Sequence, residues 1–301
     1  MPELPDVTIY CEALEREVVG QRLSVVRILS PFVLRSVEPP ASELEGKSAT
    51  GVQRIGKRIV LEFEGGLFLV VHLMIAGRLL WNDGEPKSVR PGGRNTLAVL
   101  QFESGHLILT EAGSKKRASL FVVSGEAALA EHDPGGIEPL ECSLLEFKKA
   151  LTLENRTLKR ALTNPKAFSG IGNAYSDEIL HAARLSPLKL SQSLHDAEVE
   201  RLHTAMQQTL KEWTDRLREQ FKGKFPGRGK ITAFRPEFAV HGKYREPCPV
   251  CGKPVQRIRY AENETDYCAK CQNEGRMLAD RSLSRLLKDD WPKTIEEMVG
   301  W

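Results

Sequence analysis

Residues 248–271 read Cys248-Pro249-Val250-Cys251, then sixteen residues, then Cys268-Ala269-Lys270-Cys271. Two C-x2-C pairs at this separation bring four thiolates to one tetrahedral ion, a closed set that leaves no open position for catalysis. Val255, Ile258 and Tyr260, with polar residues about Ala261 to Thr265, place a β-hairpin between the pairs. The stretch therefore reads as a zinc ribbon, with Cys248, Cys251, Cys268 and Cys271 as ligands to one structural zinc ion. Cys11 and Cys142 stand alone, so the cysteines suit a metal site in a reducing compartment and not a disulfide framework.

Upstream of the ribbon the periodicity is helical. Ser143 with Glu146 has the form of a capping box opening a helix of about Leu144 to Leu151. A second helix opens at Asn155 or Thr157 and ends near Asn164-Pro165. The run Gly170-Ile171-Gly172-Asn173-Ala174-Tyr175 precedes a helix through Ser176 to Arg184, and a long amphipathic helix spans Asp196 to Phe221. Glycines just before a helix suit either a phosphate-binding turn or a helix-packing turn that needs positive φ. Phe221 to Arg235, with Lys222, Lys224, Arg228, Lys230 and Arg235 among Gly and Pro, reads as a mobile basic loop, either a lid or a connector.

Before residue 130 the chain is β-rich. Val25 to Leu29, Val52 to Phe63, Leu67 to Leu80, Thr96 to Phe102 and His106 to Thr110 are strand-like runs, with hairpin turns at 64–66 and 103–105. They predict an antiparallel sandwich or barrel. Lys57 lies within one run, where a solvated strand face and a phosphate contact are both open readings. Trp81 to Arg94 and Glu111 to Ser119, the latter with Lys115-Lys116-Arg117, read as exposed loops, and His132 to Leu140 as an interdomain linker.

The chain opens Met1-Pro2-Glu3-Leu4-Pro5-Asp6-Val7, leading into a helix over Asp6 to Val18. Trimming of Met1 leaves a secondary amine on Pro2 whose reference pKa lies near 8, a usable nucleophile beside the Glu3 carboxyl, which can move protons. Met-Pro is also an ordinary chain start, with Leu4 and Val7 as simple anchors. The 301 residues suit two or more domains, and the net charge of +3 is compatible with nucleic acid without demonstrating it. The longest apolar run, Leu67 to Leu73, is far shorter than the about 18 residues of a membrane span, so no membrane partner and a cytoplasmic location are expected.

Pro2-Glu3-Leu4-Pro5, Lys57, the turn 170–175 and the terminal four-Cys ribbon, in this order, resemble the formamidopyrimidine-DNA glycosylase and endonuclease VIII family up to about Gln272. The resemblance implies an α+β multidomain chain: a β-sandwich catalytic domain over 1–135, a helix-two-turn-helix domain over 140–235, a zinc finger over 236–275 and an extension over 276–301 of unread role. DNA is expected between the first two. It further implies a monomeric, nucleoid-associated base-excision repair enzyme with glycosylase and AP-lyase activity. Pro2 attacks C1′ of a damaged nucleotide, Glu3 protonates the sugar ring oxygen, and the Schiff base allows β,δ-elimination. Lys57 joins them in the catalytic set, His72 and Asn173 grip phosphates near the lesion, Ile75 is an apolar wedge in place of the family's Met, and Glu178 is structural. The chain departs from the family at Asp6, one methylene shorter than the usual Glu, and at His241, where Tyr is common. It also lacks the Asp-Pro-Arg-Arg-Phe-Gly loop that reads the opposite base, and has Asn263 at the finger tip where the family has Arg. These changes predict altered lesion or opposite-base preference on duplex, single-stranded or abasic DNA. A non-catalytic damaged-DNA-binding protein of the same fold is the alternative.

Overall fold

The computed structural model describes residues 1–113, 115–260, 263–279, 286 and 292–297. Helix α1 (Leu4–Val18) precedes strands β1 (Leu23–Ile28), β2 (Ala49–Ile55), β3 (Arg58–Phe63), β4 (Leu67–His72), β5 (Gly77–Asp83), β6 (Thr96–Phe102), β7 (Gly105–Glu111) and β8 (Ser119–Ser124). Helices α2 (Glu126–Ala130), α3 (Leu144–Thr152), α4 (Leu158–Leu162), α5 (Asn173–Ala182) and α6 (Asp196–Phe221) follow, then β9 (Gln256–Tyr260), β10 (Asn263–Tyr267) and α7 (Ala269–Asn273). The chain forms two compact units, one of Met1–Pro134 with Trp213–Thr232, the other of Gly135–Glu212 with Ala233–Trp301. Residues 213–232, which the sequence groups with the helical segment, thus pack into the first unit.

The first unit is the expected antiparallel sandwich, with sheets ordered β1-β6-β7-β5 and β2-β3-β4-β8. Alternation along β3 explains its layers: Ile59, Leu61 and Phe63 face the main core with Leu69, Leu100 and Leu109, while Val60 joins Phe68, Val70 and Leu129 of α2 on the outer face. A strand buried on both faces reads as a continuous apolar run. Val7, Tyr10 and Leu14 anchor α1 in the main core, where Leu217, Phe221 and Ile231 also lie. Arg218 pairs with Glu12 at 2.6 Å, and Arg16 donates to the Gly223 carbonyl at 2.7 Å, fastening the returning segment to α1.

Two expected strands are each two elements. The run Val52 to Phe63 is a hairpin: Ile55 pairs with Arg58 across a two-residue turn, Gly56-Lys57, with Gly56 at φ +60°. Lys57 therefore stands at a hairpin tip and not on a ribbon. The run Leu67 to Leu80 is broken at Leu73–Ala76, because β4 belongs to one sheet and β5 to the other. The first break turns back within one sheet, whereas at the second the apolar run Leu73-Met74-Ile75-Ala76 hides a change of sheet. At the second break the Gly77 N–H donates to the Leu73 carbonyl at 2.8 Å, and Met74 takes φ 51°.

In the second unit the Ser143/Glu146 capping box is present, with Ser143 N–H donating to Glu146 at 2.8 Å. Helix α5 begins at Asn173, three residues earlier than expected, so Gly172 is its N-cap and Asn173 its first residue. Phe147 and Phe168 pack at 5.3 Å, and Tyr175 meets Phe238 edge-on at 5.6 Å. The expected hairpin is observed as β9 paired with β10, Gln256 opposite Tyr267. Part of the C-terminal extension returns to it: Arg276 bridges Thr294, and Ile295 is buried with Tyr267. Residues 261 and 262, and Trp291 and Trp301 of the extension, lie outside the described residues.

A Cβ at Gly77 would stand 2.2 Å from the Leu73 carbonyl oxygen, a backbone atom that cannot swing away. Gly77→Ala is expected to destabilise the protein by about 2 kcal/mol or more, read as a lowered urea midpoint at unchanged slope. A midpoint equal to wild type contradicts the crossing geometry.

Candidate functional site

Glu3 is the N-cap of α1, in extended conformation, with Pro5 in the first turn. Its backbone N–H donates to Asp6 Oδ2 at 3.0 Å, and the Glu3 side chain turns back to the Asp6 backbone in a reciprocal capping box. Glu3 and Asp6 are only 3% and 2% exposed, and Pro2 is buried beside them. The shorter Asp6 thus holds the backbone of Glu3, a role that the sequence leaves unassigned.

The α-amine of Met1 stands one residue ahead of the Pro2 nitrogen. Burial pushes this amine below its ordinary value of 8.0; Arg78 and Lys57 push the same way, against the charges of Glu3 and Asp6. Glu3, Asp6, Lys57 and Arg78 therefore converge electrostatically on the chain terminus. Arg78 is the member that sequence reading missed, one arginine among alternating residues of β5. Its guanidinium donates to the carbonyls of Ile231 at 2.8 Å, Ile75 at 3.1 Å and Gly77 at 2.7 Å, bracing the turn that carries Ile75. Ile75 itself is 56% exposed at that turn.

His72 ends β4, opposite Arg58 on one side and Ser119 on the other. Burial first, then the charges of Arg58 and Lys57, push its pKa down to about 4. The ring is neutral at pH 7 and can offer an anion an N–H donor, not a charge. Arg58 Nε is buried without a hydrogen-bond partner in the same place. The loop after β7 is folded on its own stem: the buried Glu111 carboxylate accepts from Arg117 N at 2.8 Å and Ala118 N at 3.1 Å, and Lys116 Nζ donates to the Glu111 carbonyl.

In the second unit Asn173 is half-buried at the start of α5, after Gly170 at φ +77°. Glu178 accepts three backbone N–H groups, from Ala239 at 2.7 Å and from Val240 and His241 at 2.9 Å each. Burial raises its pKa against the effect of those bonds. Its work is to hold the 239–241 segment on the helix, the structural role expected.

The four cysteine sulfurs lie within 4.8 Å of one another, with Cys248–Cys271 at 3.9 Å and Cys251–Cys268 at 3.4 Å. A zinc–sulfur bond of about 2.3 Å in a tetrahedron demands sulfurs about 3.8 Å apart, so the donor set fits a closed zinc ion. His181, in the last turn of α5, places Nε2 3.3 Å from Cys248 Sγ. Burial and Arg184 lower the pKa of this ring, favouring a neutral imidazole that can donate to a thiolate. Gln272 accepts from Cys268 N at 2.8 Å and donates to the Leu185 carbonyl at 3.0 Å, a second fastener. Neither is legible from spacing.

Residues 1–114 match the N-terminal domain of formamidopyrimidine-DNA glycosylase, 136–219 its H2TH domain, and 245–273 the zinc finger found in FPG and IleRS. Three such matches in order define the class, a zinc-finger DNA glycosylase of base excision repair. The chain belongs to the formamidopyrimidine-DNA glycosylase family. It is 31% identical over 278 residues to the formamidopyrimidine-DNA glycosylase of Heliobacterium modesticaldum, covering 90% of this chain and 100% of that protein. It is 32% identical over 279 residues to that of Symbiobacterium thermophilum, covering 90% and 89%. Among solved structures it is similar to Lactococcus lactis Fpg in complex with abasic-site DNA (TM-score 0.78, 25% identity, 90% of this chain and 99% of that one). It is equally similar to MutM in complex with DNA containing carbocyclic 8-oxo-G (TM-score 0.78, 26% identity, 90% and 100%).

The thiolate geometry predicts about one zinc per chain in the purified protein. Cys248→Ser is expected to lose that zinc and to destabilise the second unit by on the order of several kcal/mol, read by metal analysis and thermal melting. Intact protein without zinc contradicts the assignment.

Proposed function

We propose that the chain is a bifunctional DNA glycosylase and AP lyase that acts through the amine of Pro2 once Met1 is removed. The observation that carries the reading is the buried terminus, held beside the Glu3 carboxyl and flanked by Lys57 and Arg78. Burial, Arg78 and Lys57 lower the pKa of the Met1 amine against the charges of Glu3 and Asp6, and we carry that direction over to the adjoining Pro2 amine, whose unprotonated form is the nucleophile. Its lone pair attacks C1′ of the damaged nucleotide, the base leaves with the bond electrons and a proton, and Glu3 protonates the sugar ring oxygen as the ring opens. The product is an iminium between Pro2 and C1′. Loss of the C2′ proton expels the 3′-phosphate, and a second elimination expels the 5′-phosphate, leaving a gap; hydrolysis of the iminium returns the amine.

The substrate must be extruded from the duplex, so phosphate contacts have to hold the distorted backbone. Lys57, His72 and Asn173 are assigned to those contacts, Lys57 also supporting the amine, and Ile75 to the space vacated by the nucleotide. DNA complexes of the structural relatives support DNA as the partner. The zinc ribbon is assigned a structural ion, and the protein is taken to act as a cytoplasmic, nucleoid-associated monomer.

The loop after β7 lacks the opposite-base reader and closes on Glu111, which supports weak discrimination of the opposite base. Nicking of one lesion opposite each of the four bases is expected to proceed at rates within about threefold, less than the cost of one lost base contact. A strong preference for C sinks that part of the reading. Glu3→Gln is expected to slow excision of a damaged base by about 10²- to 10⁴-fold, the usual worth of a positioned general acid. Unchanged excision by Glu3→Gln contradicts the role of Glu3.

A further inference from the structure

A second polar cluster lies buried in the second unit. The His241 ring is 7% exposed, and its Nδ1 donates to Asp177 Oδ2 at 2.8 Å while standing 3.7 Å from Asp266 Oδ2. The other oxygen of Asp177 accepts from Lys159 Nζ, and Lys159 also donates to the Asn173 backbone carbonyl at 2.6 Å. Asp266 Oδ2 accepts the Gly242 N–H at 2.8 Å, whereas its Oδ1 is buried without a partner. A continuous path therefore runs from Asp266 of β10 through His241, Asp177 and Lys159 to Asn173, the first residue of α5 and the residue of the turn assigned to phosphate.

The ligand atoms of Asp177, His241 and Asp266 lie within 4.8 Å of one another, a spacing that a metal ion could also use. Two features favour a proton there instead. Lys159 already neutralises Asp177, and a nitrogen–oxygen separation of 2.8 Å is that of a shared hydrogen, tighter than the roughly 3.3 Å edge of a tetrahedron with bonds of about 2.0 Å. Two buried carboxylates facing one ammonium need a second cation, and the His241 ring is placed to supply it. Aromatic rings flank it, Phe234 stacked at 6.0 Å and Phe238 edge-on at 6.0 Å. Gly242, at φ +74°, leaves the space that Phe234 occupies; a Cβ there would stand 2.8 Å from the ring.

We propose that His241 is a positioning residue for the phosphate turn. As an imidazolium locked between Asp177 and Asp266, it fixes the Asp177 carboxylate that holds Lys159 on the Asn173 carbonyl. The strength of the DNA grip is thereby tied to the charge of one buried ring. The proposal rests on the reading of Asn173 as a phosphate contact. Tyrosine, common in the family at this position, can donate a hydrogen bond there but carries no positive charge.

The groups facing His241 are Asp177 and Glu178 of α5, Lys159 of α4 and Asp266 of β10, with Glu264 acting on Asp266. Burial lowers the pKa of the ring, but the bond to Asp177 and the charges of Asp177 and Asp266 outweigh both burial and Lys159, so the net direction is upward. A histidine raised in the folded state contributes fully below its ordinary value of about 6.5, and the contribution is lost as pH rises through the folded value. The sensitive window is therefore neutral to mildly alkaline.

The test uses full-length zinc-loaded protein and a duplex carrying a tetrahydrofuran abasic analogue, which cannot be cleaved. Affinity is followed by fluorescence anisotropy from pH 6 to 9 at constant ionic strength. Wild type is expected to weaken by about three- to tenfold across the window, the scale of one protonation linked to binding. His241→Asn keeps a donor toward Asp177 without the charge, and His241→Tyr restores the family residue; both are expected to bind with a flat profile. A wild-type profile that parallels that of His241→Asn overturns the proposal. Where the variants do not fold, ring NMR of wild type decides: titration of His241 above 6.5 together with the binding step supports it, and titration below 6.5 overturns it. Binding without a pH step defeats this inference alone, whereas no binding at any pH defeats it together with the glycosylase reading.

Discussion

The hydrogen bond from the Glu3 backbone N–H to the Asp6 carboxylate is the constraint on which the N-terminal site depends. Chain termini ordinarily fray, because nothing pairs their first donors. Here the helix start supplies its own acceptor and α1 is anchored in the sandwich core by Val7, Tyr10 and Leu14. Pro2 and Glu3 are consequently buried, and Met1 is partly so. Burial then disfavours the charged form of the Met1 amine, and with Arg78 and Lys57 it outweighs the opposing charges of Glu3 and Asp6. A packing requirement and a chemical one are thus met by the same few residues.

The second unit is fastened by polar groups as much as by its apolar core. Glu178 gathers three backbone N–H groups, His181 reaches Cys248, and Gln272 ties the second knuckle to the Leu185 carbonyl. A small ribbon has little apolar surface to bury, so a metal and directed hydrogen bonds must supply its order. The cluster around His241 extends the same logic to a ring of charges, where removing one partner leaves another buried and uncompensated.

Legibility from sequence followed the range of the interaction. The Cys spacing, the Ser143 capping box and the limits of α6 depend on neighbours in the chain, and each was readable. The hairpin at Gly56-Lys57 and the crossing at Leu73–Ala76 were not: a two-residue turn offers Gly56 as its one turn signal, and the crossing is itself apolar, so the run continues while the chain changes sheet. The start of α5 was misplaced by three residues, since Gly172 caps it through backbone geometry without a polar side chain. Of the N-terminal site, Pro2, Glu3 and Lys57 were singled out from chemistry and resemblance. Arg78 and the bracing by Asp6 came only with three-dimensional placement, as did the contact of His181 with the ribbon.

The central claim is that the chain terminus is the nucleophile. Tag-free protein, with its N-terminus processed to Pro2, should be incubated with abasic-site DNA in borohydride and the adduct digested for mass spectrometry. The account predicts a reduced covalent adduct mapped to Pro2. An adduct on a lysine, or DNA binding with no adduct at all, would contradict it.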